Sequence, residues 1–169
     1  MTTLTDSKGR ALPQEETPSG AVLSAMGDAF FLAGRSERHA GMPVHALRAA
    51  FEPPIRLGQY KVFRFDDVPR GMITWARMSP EAEGRYVRGE PFQRDDWQSG
   101  ERLWLIDLVA PYNGLTASMV RWIMIRGNFT SREFLFRRVV GNRQTRKIVH
   151  IDFDRPEGKA KLLTPESFG

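Results

Sequence analysis

A chain of 169 residues that contains no cysteine has no disulfide framework, no thiolate metal site and no cysteine nucleophile. Its hydrophobic (41%) and charged (27%) fractions are those of one soluble globular domain, and it has no run of about 20 apolar residues to span a membrane. The net charge of +5 predicts an acidic partner, and the lack of a basic run interleaved with aromatic residues argues against nucleic acid.

The N-terminal segment, residues 1–18, is polar and has no apolar centre of the kind found in signal peptides. We predict a disordered leader here and, because no membrane span is present, a cytoplasmic protein. From Ser19 to Ala33 the apolar residues recur at helical spacing, which predicts a first helix that Ser19 caps. Gly34 follows directly and is typical of the residue just beyond a helix.

A second helix is predicted to begin at Pro43, which suits a first helical turn, and to run to about Phe51. Pro53 and Pro54 are expected to stop it, because proline has no amide hydrogen to donate within a helix. His39 falls in the connection between the two helices. Catalytic side chains are often presented on loops, so His39 is a candidate functional residue.

An antiparallel hairpin and a third helix are predicted next. Residues 59–65 and 71–78 have the composition of two strands joined by a short turn. Residues 79–87 begin with Ser-Pro-Glu, which predicts a helix with proline at its first position. The polar segment 88–100 follows, with a helical turn expected at 95–97.

The strand predicted over residues 102–110 carries a single carboxylate, Asp107, within an apolar run. Strict alternation places Leu103, Leu105, Asp107 and Val109 on one face of this strand. A buried carboxylate costs several kcal/mol unless it is paired or hydrogen-bonded. Asp107 therefore requires a partner, and that partner is a guide to function.

A fourth helix is predicted over residues 115–126, followed by strands over 134–140 and 145–153 that are joined at Gly141-Asn142. The helix residues expected to face inward are Met119, Val120, Ile123 and Met124.

The folded domain is thus expected to cover residues 19–153. Residues 154–169 are rich in proline, glycine and charge, and an irregular C-terminal tail is predicted. The order helix, helix, hairpin, helix, strand, helix, strand, strand predicts an α/β sandwich, in which helices flank a mixed, mostly antiparallel sheet.

Three ordered blocks carry a further signal. The first has the pattern S-x-x-H-x-x-x-P-V, and the last has an acidic pair, W-x-S-G-[DE]-R, a strand with an internal aspartate, and A-P-[FY]. The matching residues are Ser36, His39, Pro43 and Val44; then Gln59, Tyr60, Pro69, Trp75, Ala76, Ser79 and Tyr86; then Asp96, Trp97, Ser99, Gly100, Glu101, Arg102, Asp107, Ala110, Pro111 and Tyr112. Over about residues 30–115 the chain resembles the RTX-toxin-activating lysine acyltransferases, which move a fatty acyl group from acyl carrier protein onto internal lysines of a protoxin.

The resemblance implies a single-domain sandwich similar to the GNAT acetyltransferase fold. In that fold a glycine-rich loop at a helix N-terminus binds the pyrophosphate of coenzyme A through backbone N–H groups. The corresponding loop here, residues 110–115, has one glycine, no basic residue, and a proline that lacks a donor. We therefore expect no cofactor, and acyl carrier protein rather than free acyl-CoA as the co-substrate.

The resemblance also implies that His39 is the catalytic histidine, either as general base toward the acceptor lysine or as the acyl acceptor itself. Asp107 would orient the imidazole and stabilise the imidazolium, which supplies the partner that a buried carboxylate requires. Ser36 is a candidate nucleophile, although a supporting hydrogen bond within the loop is favoured. No metal site is expected, because the histidine spacing matches no zinc signature.

One departure concerns the second helix, where Ala49-Ala50 stands at a place that the resemblance leads us to expect to be polar. Such a side chain would help to stabilise the oxyanion of an acyl transfer, so another group must do so here. The candidates are the backbone N–H groups near Gly41 and a supporting, substrate-binding turn made of Tyr112, Asn113 and Gly114.

The partners that the resemblance implies are acyl carrier protein, an RTX-type protoxin and, as a homodimer, a second copy of the chain. Acyl carrier proteins are strongly acidic, which agrees with the basic charge of this chain. Two alternatives stay open: an acyl-CoA-dependent GNAT-like N-acyltransferase, and a non-catalytic basic binding module.

Overall fold

The architecture is a single mixed sheet with helices on both faces, seen in a computed structural model that describes residues 5–13, 16–140 and 144–168. The strands are Tyr60–Phe65 (β1), Val68–Met78 (β2), Arg102–Val109 (β3), Glu133–Val140 (β4), Gln144–Asp152 (β5) and Ala160–Leu163 (β6). They are ordered β1-β2-β3-β4-β5-β6, and neighbours are antiparallel except for the parallel pair β3 and β4. The predicted α/β sandwich with a mostly antiparallel sheet is confirmed.

The helices cover the two faces of the sheet unequally. They are Gly20–Ala33 (α1), Val44–Arg56 (α2), Pro80–Val87 (α3) and Leu115–Ile123 (α4), with a 3-10 turn at Arg94–Trp97. Helices α1, α2 and α3 pack on one face, against Met72, Ala76 and Val109, whereas α4 packs on the other face, against Ile73 and Phe134. No helix within the described ranges is both long enough and apolar enough to cross a membrane.

Serines cap the starts of α1 and α3, as predicted for Ser19. The Ser19 hydroxyl accepts a hydrogen bond from the Val22 amide at 3.3 Å, and the Ser79 hydroxyl accepts one from Ala82 at the same distance. Each serine satisfies an amide that would otherwise lack a partner in the first helical turn. Pro80 occupies the first turn of α3, as predicted.

Helix α2 does not stop at the paired prolines. It continues to Arg56 with Pro53 and Pro54 inside it, so the predicted end near Phe51 is wrong. The Leu57 amide donates to the Pro53 carbonyl at 3.1 Å, which shows that helical bonding resumes after the prolines. The burial of Phe51 and Ile55 against the sheet offsets the hydrogen bonds that the prolines remove.

Strand β3 contains an extra residue relative to β2. Thr74 lies opposite Asp107 and Trp75 lies opposite Leu105, so Ile106 has no partner of its own. Such a bulge reverses the alternation beyond it. Leu105 packs with the cluster beneath α4, whereas Ile106 packs with the cluster on the opposite face. Asp107 therefore faces the α1–α2 side, and its predicted placement on one face with Leu103 and Leu105 is wrong.

The C-terminal part differs from prediction in several places. Helix α4 ends at Ile123, and Val120, which we expected to face inward, is 44% exposed. The predicted irregular tail contains β6 and a 3-10 turn at Pro165–Phe168, because Leu163 and Phe168 pack against the buried cluster around Trp104. So short an apolar pattern is not visible in the sequence.

Two predictions fall wholly or partly outside the described residues. The predicted hairpin connection Gly141-Asn142 lies outside them. Within the predicted leader, Thr5 and Ala11 form a single β-bridge, and the disorder of the leader as a whole stays a prediction.

Candidate active site

The loop between α1 and α2 is folded tightly around Ser36. The amides of His39 and Ala40 both donate to the Ser36 carbonyl, at 2.9 and 2.8 Å. This turn brings the Ser36 hydroxyl within 2.8 Å of Nδ1 of His39. The loop thus presents the serine and the histidine as a pair.

His39 is buried, with 2% of its surface exposed, although it lies in a loop. Its Nε2 atom is 2.8 Å from Oδ2 of Asp107, and its ring lies 5.7 Å from that of Phe51. A carboxylate can only accept, so Nε2 carries the hydrogen, and in the neutral imidazole Nδ1 must then accept from Ser36. The result is a hydrogen-bonded chain from the Ser36 hydroxyl through His39 to Asp107.

Asp107 accepts three hydrogen bonds from the described residues. Besides His39, these come from the Leu108 amide at 2.8 Å and from Arg38 Nη1 at 3.0 Å, both to Oδ1. The partner that the buried carboxylate requires is therefore present, as predicted from the sequence. The bulge at Ile106 is what turns this carboxylate toward the loop.

Three neighbours of the His39–Asp107 pair are not predicted from the sequence. Arg38 immediately precedes His39 but reads as an ordinary surface charge, and its contact with Asp107 depends on the bulge. Phe51 covers the imidazole ring. Thr74, opposite Asp107 in β2, is fully buried, and its hydroxyl finds no hydrogen-bond partner within the part of the chain that the structure describes.

Tyr86 of α3 and Arg137 of β4 form a second polar pair. Burial raises the pKa of the Tyr86 hydroxyl, the positive charge of Arg137 opposes this, and the charge of Asp107 raises the pKa further. The Arg137 guanidinium lies 4.0 Å from the centre of the Tyr86 ring and donates to the Tyr86 carbonyl at 2.8 Å. This pair links α3 to β4.

The predicted supporting turn, residues 112–114, directly precedes α4. Tyr112, Asn113 and Gly114 line a cavity of about 500 Å³ at the start of α4, together with Phe65 and Arg70 of the first hairpin. None of the three hydrogen-bonds to Ser36, His39 or Asp107 among the residues described. The structure therefore links Ser36, His39 and Asp107 by hydrogen bonds, and the substrate-binding role of the turn stays a prediction.

The other histidines stand outside the site. His45 is exposed on α2, and His150 pairs with Glu133 at 2.7 Å on the sheet. Neither histidine contacts His39 or Asp107 within the described residues, and nothing in the sequence selects either of them for a function.

A serine, an imidazole and a carboxylate linked in series form the constellation with which enzymes move protons during acyl transfer, here carried on an α/β sandwich. The sequence profile of the RTX toxin acyltransferase family matches residues 19–153. The chain belongs to that family.

Relatives with assigned names agree with this membership. The chain is 36% identical over 107 residues to the protein-lysine palmitoyltransferase CyaC of Bordetella bronchiseptica. The aligned residues cover 60% of this chain and 58% of that protein. It is 33% identical over 91 residues to the protein-lysine myristoyltransferases RtxC of Kingella kingae and HlyC of Escherichia coli, covering 53% of this chain and 54% of each. The chain thus spans a little over half the length of these curated relatives.

Proposed function

We propose that this protein is a protein-lysine acyltransferase, which transfers a fatty acyl group from acyl carrier protein to internal lysines of an RTX-type protoxin in the cytoplasm. The observation that carries the proposal is the hydrogen-bonded chain of Ser36, His39 and Asp107 in a member of the RTX toxin acyltransferase family. The names of the relatives, protein-lysine palmitoyltransferase and protein-lysine myristoyltransferase, support a lysine as acceptor and a fatty acyl group as cargo.

Acyl transfer from a thioester to a lysine amine requires the site to move one proton. The lysine nitrogen attacks the thioester carbon, a C–N bond forms, and the C–S bond breaks to release the carrier thiolate. The amine proton passes to His39 and then to the leaving sulfur. Asp107 stabilises the imidazolium that exists between these two transfers, as the carboxylate does in hydrolase triads.

The position of Ser36 constrains the route of that proton. Both nitrogens of His39 are engaged, so a proton reaches Nδ1 through the Ser36 hydroxyl or after that side chain rotates away. A role as relay and positioning residue fits the supporting function expected from the sequence. If Ser36 or His39 instead takes the acyl group, acid quenching followed by peptide mass spectrometry finds a covalent acyl adduct on that residue.

A basic patch on the β4–β5 hairpin supports an acidic carrier as the donor. Arg138 and Lys147 lie directly opposite each other in the ladder, and both are exposed. Like charges in such a pair destabilise the sheet, and an acidic partner docked on them removes this repulsion. Residues 110–115, with Pro111 and a single glycine, offer little to the pyrophosphate of coenzyme A.

The decisive experiment offers the protein two donors and one acceptor. Palmitoyl-acyl carrier protein or palmitoyl-CoA is incubated with a lysine-bearing protoxin fragment, and intact mass reports acylation. We expect transfer from the carrier, loss of transfer in His39→Ala, and normal transfer in His45→Ala, an exposed histidine on α2. Equal turnover with palmitoyl-CoA would favour the coenzyme A-dependent alternative, and activity retained in His39→Ala would refute the assigned site.

A further inference from the structure

Arg38 is the one cation that contacts the Ser36–His39–Asp107 chain within the described residues. Its Nη1 donates to Oδ1 of Asp107 at 3.0 Å, and 62% of its side chain is exposed. This is the single hydrogen bond or ion pair that the described residues give it. A guanidinium carries five N–H donors, so most of its donors are unused.

Asp107 does not need Arg38 for its orientation. One carboxylate oxygen is held by His39 and the other already accepts from the Leu108 amide at 2.8 Å. Its side chain is only 10% exposed and is fixed by the strand that carries it. An exposed arginine adds little rigidity to a carboxylate held in this way, which directs attention to what its free donors do.

The proposed reaction forms a negative charge on the thioester oxygen. Attack by an amine on a thioester turns the carbonyl oxygen into an oxyanion, and donors aimed at that oxygen lower the barrier. The amides of His39, Ala40 and Met42 already donate to carbonyls within the loop, and the Ser36 amide donates to the carbonyl of Ala33 at the end of α1. Helix α2 offers the Phe51 ring to the imidazole rather than a polar side chain.

We propose that Arg38 stabilises the tetrahedral oxyanion with its unused N–H donors while Nη1 stays on Asp107, an inference that rests on the proposed acyl transfer. The lysine nitrogen forms a bond to the thioester carbon, the electron pair of the C=O moves to oxygen, and that oxygen accepts from the guanidinium. When the electron pair returns, the C–S bond breaks and the carrier thiolate leaves. The N–H of Gly41 is the competing donor.

The test compares two exposed arginines of the same loop. Arg38→Ala removes the donors beside Asp107. Arg35→Ala removes a guanidinium that lies 3.6 Å from the centre of the Phe31 ring and contacts neither His39 nor Asp107. Acyl transfer from palmitoyl-acyl carrier protein is followed at saturating and limiting donor. We expect kcat of Arg38→Ala to fall about 10- to 100-fold with KM little changed, because loss of an oxyanion donor acts on the transition state. Arg35→Ala should match the wild type.

A second readout separates a direct role from a positioning role. The ring nitrogens of His39, observed by NMR, should keep the same tautomer in Arg38→Ala, and methylguanidinium should restore part of the lost rate. A change of tautomer that accompanies the loss of rate would overturn the direct role, and so would a wild-type kcat, which would assign the oxyanion to Gly41. Absence of turnover in the wild type would refute the proposed function itself. If the wild type turns over and Arg38→Ala has the same kcat, this inference alone is refuted.

Discussion

Replacing Asp107 by asparagine tests the site with almost no change of shape. The carboxylate accepts from His39, Arg38 and the Leu108 amide, and the first two donors are charged during or before reaction. A hydrogen bond that involves a charged group contributes about 1.5–3 kcal/mol, against about 0.5–1.5 kcal/mol for a neutral one. Losing the charge from two such bonds raises the barrier by about 2–3 kcal/mol, which corresponds to a fall in kcat of about 30- to 160-fold.

The assay for Asp107→Asn is palmitoyl transfer to a lysine-bearing protoxin fragment, with thermal unfolding measured in parallel. Asp95→Asn is the matched control, because Asp95 is exposed and lies outside the site. An asparagine that turns its NH₂ group toward His39 also forces the hydrogen onto Nδ1, so Ser36 loses its acceptor and the fall approaches the upper limit. A folded Asp107→Asn protein within threefold of wild-type activity would show that the carboxylate has no part in the reaction.

Three further perturbations follow from the packing. Gly100→Ala should lower the free energy of unfolding by about 1–3 kcal/mol, measured by chemical denaturation, because the added Cβ would lie 2.5 Å from the Met78 carbonyl oxygen; an unchanged midpoint would contradict this close approach. Burial raises the pKa of Tyr86 above its ordinary value of 10.0, so the folded state keeps a proton that the unfolded state loses. Stability should therefore fall as the pH rises above 10, and the slope of unfolding free energy against pH should be shallower in Tyr86→Phe. Reversing the charges of Arg138 and Lys147 to glutamate should raise KM for the acyl carrier protein at low salt and leave kcat unchanged, whereas an unchanged KM would place the carrier on another surface.

The pairing of His39 with Asp107 could be predicted because each has a distinctive setting. Asp107 is the only carboxylate in an apolar strand, and a buried carboxylate has few stable solutions other than a cationic or hydrogen-bonding partner. His39 lies in a block that resembles a known family. Neither setting, however, shows which face of β3 carries the carboxylate.

Arg38 and the turn at residues 112–114 show where sequence reasoning reaches its limit. Arg38 is an arginine in a polar loop, and nothing in its sequence setting distinguishes it from a solvated surface charge. The turn is a candidate oxyanion-stabilising group because Ala49-Ala50 offers no polar side chain; it lines a cavity of about 500 Å³, and its role stays a prediction.

The bulge at Ile106 is the feature that the sequence conceals. Ile106 resembles its apolar neighbours, and only its lack of a partner in β2 reveals that one residue is extra. Without the bulge, strict alternation puts Asp107 on the face that α4 covers, away from the loop of His39. A bulge beside a functional side chain is a common means of redirecting that side chain.

Deletion of Ile106 tests this interpretation, and the two views of the strand predict opposite results. If the observed register holds, the deletion leaves Leu105 opposite Trp75 and Asp107 opposite Thr74, so the ladder becomes regular and the carboxylate still points at its imidazole partner. The shortened protein should then retain acyl transfer within about tenfold of wild type, while losing about 1–2 kcal/mol of stability with the half-buried isoleucine. If instead the strand alternates strictly, Asp107 lies on the face that α4 covers, the deletion reverses the faces of Asp107, Leu108 and Val109, and Asp107→Asn leaves transfer within threefold of wild type. Comparing the two variants at equal folded concentration, established by circular dichroism, decides between a redirected carboxylate and a regular strand.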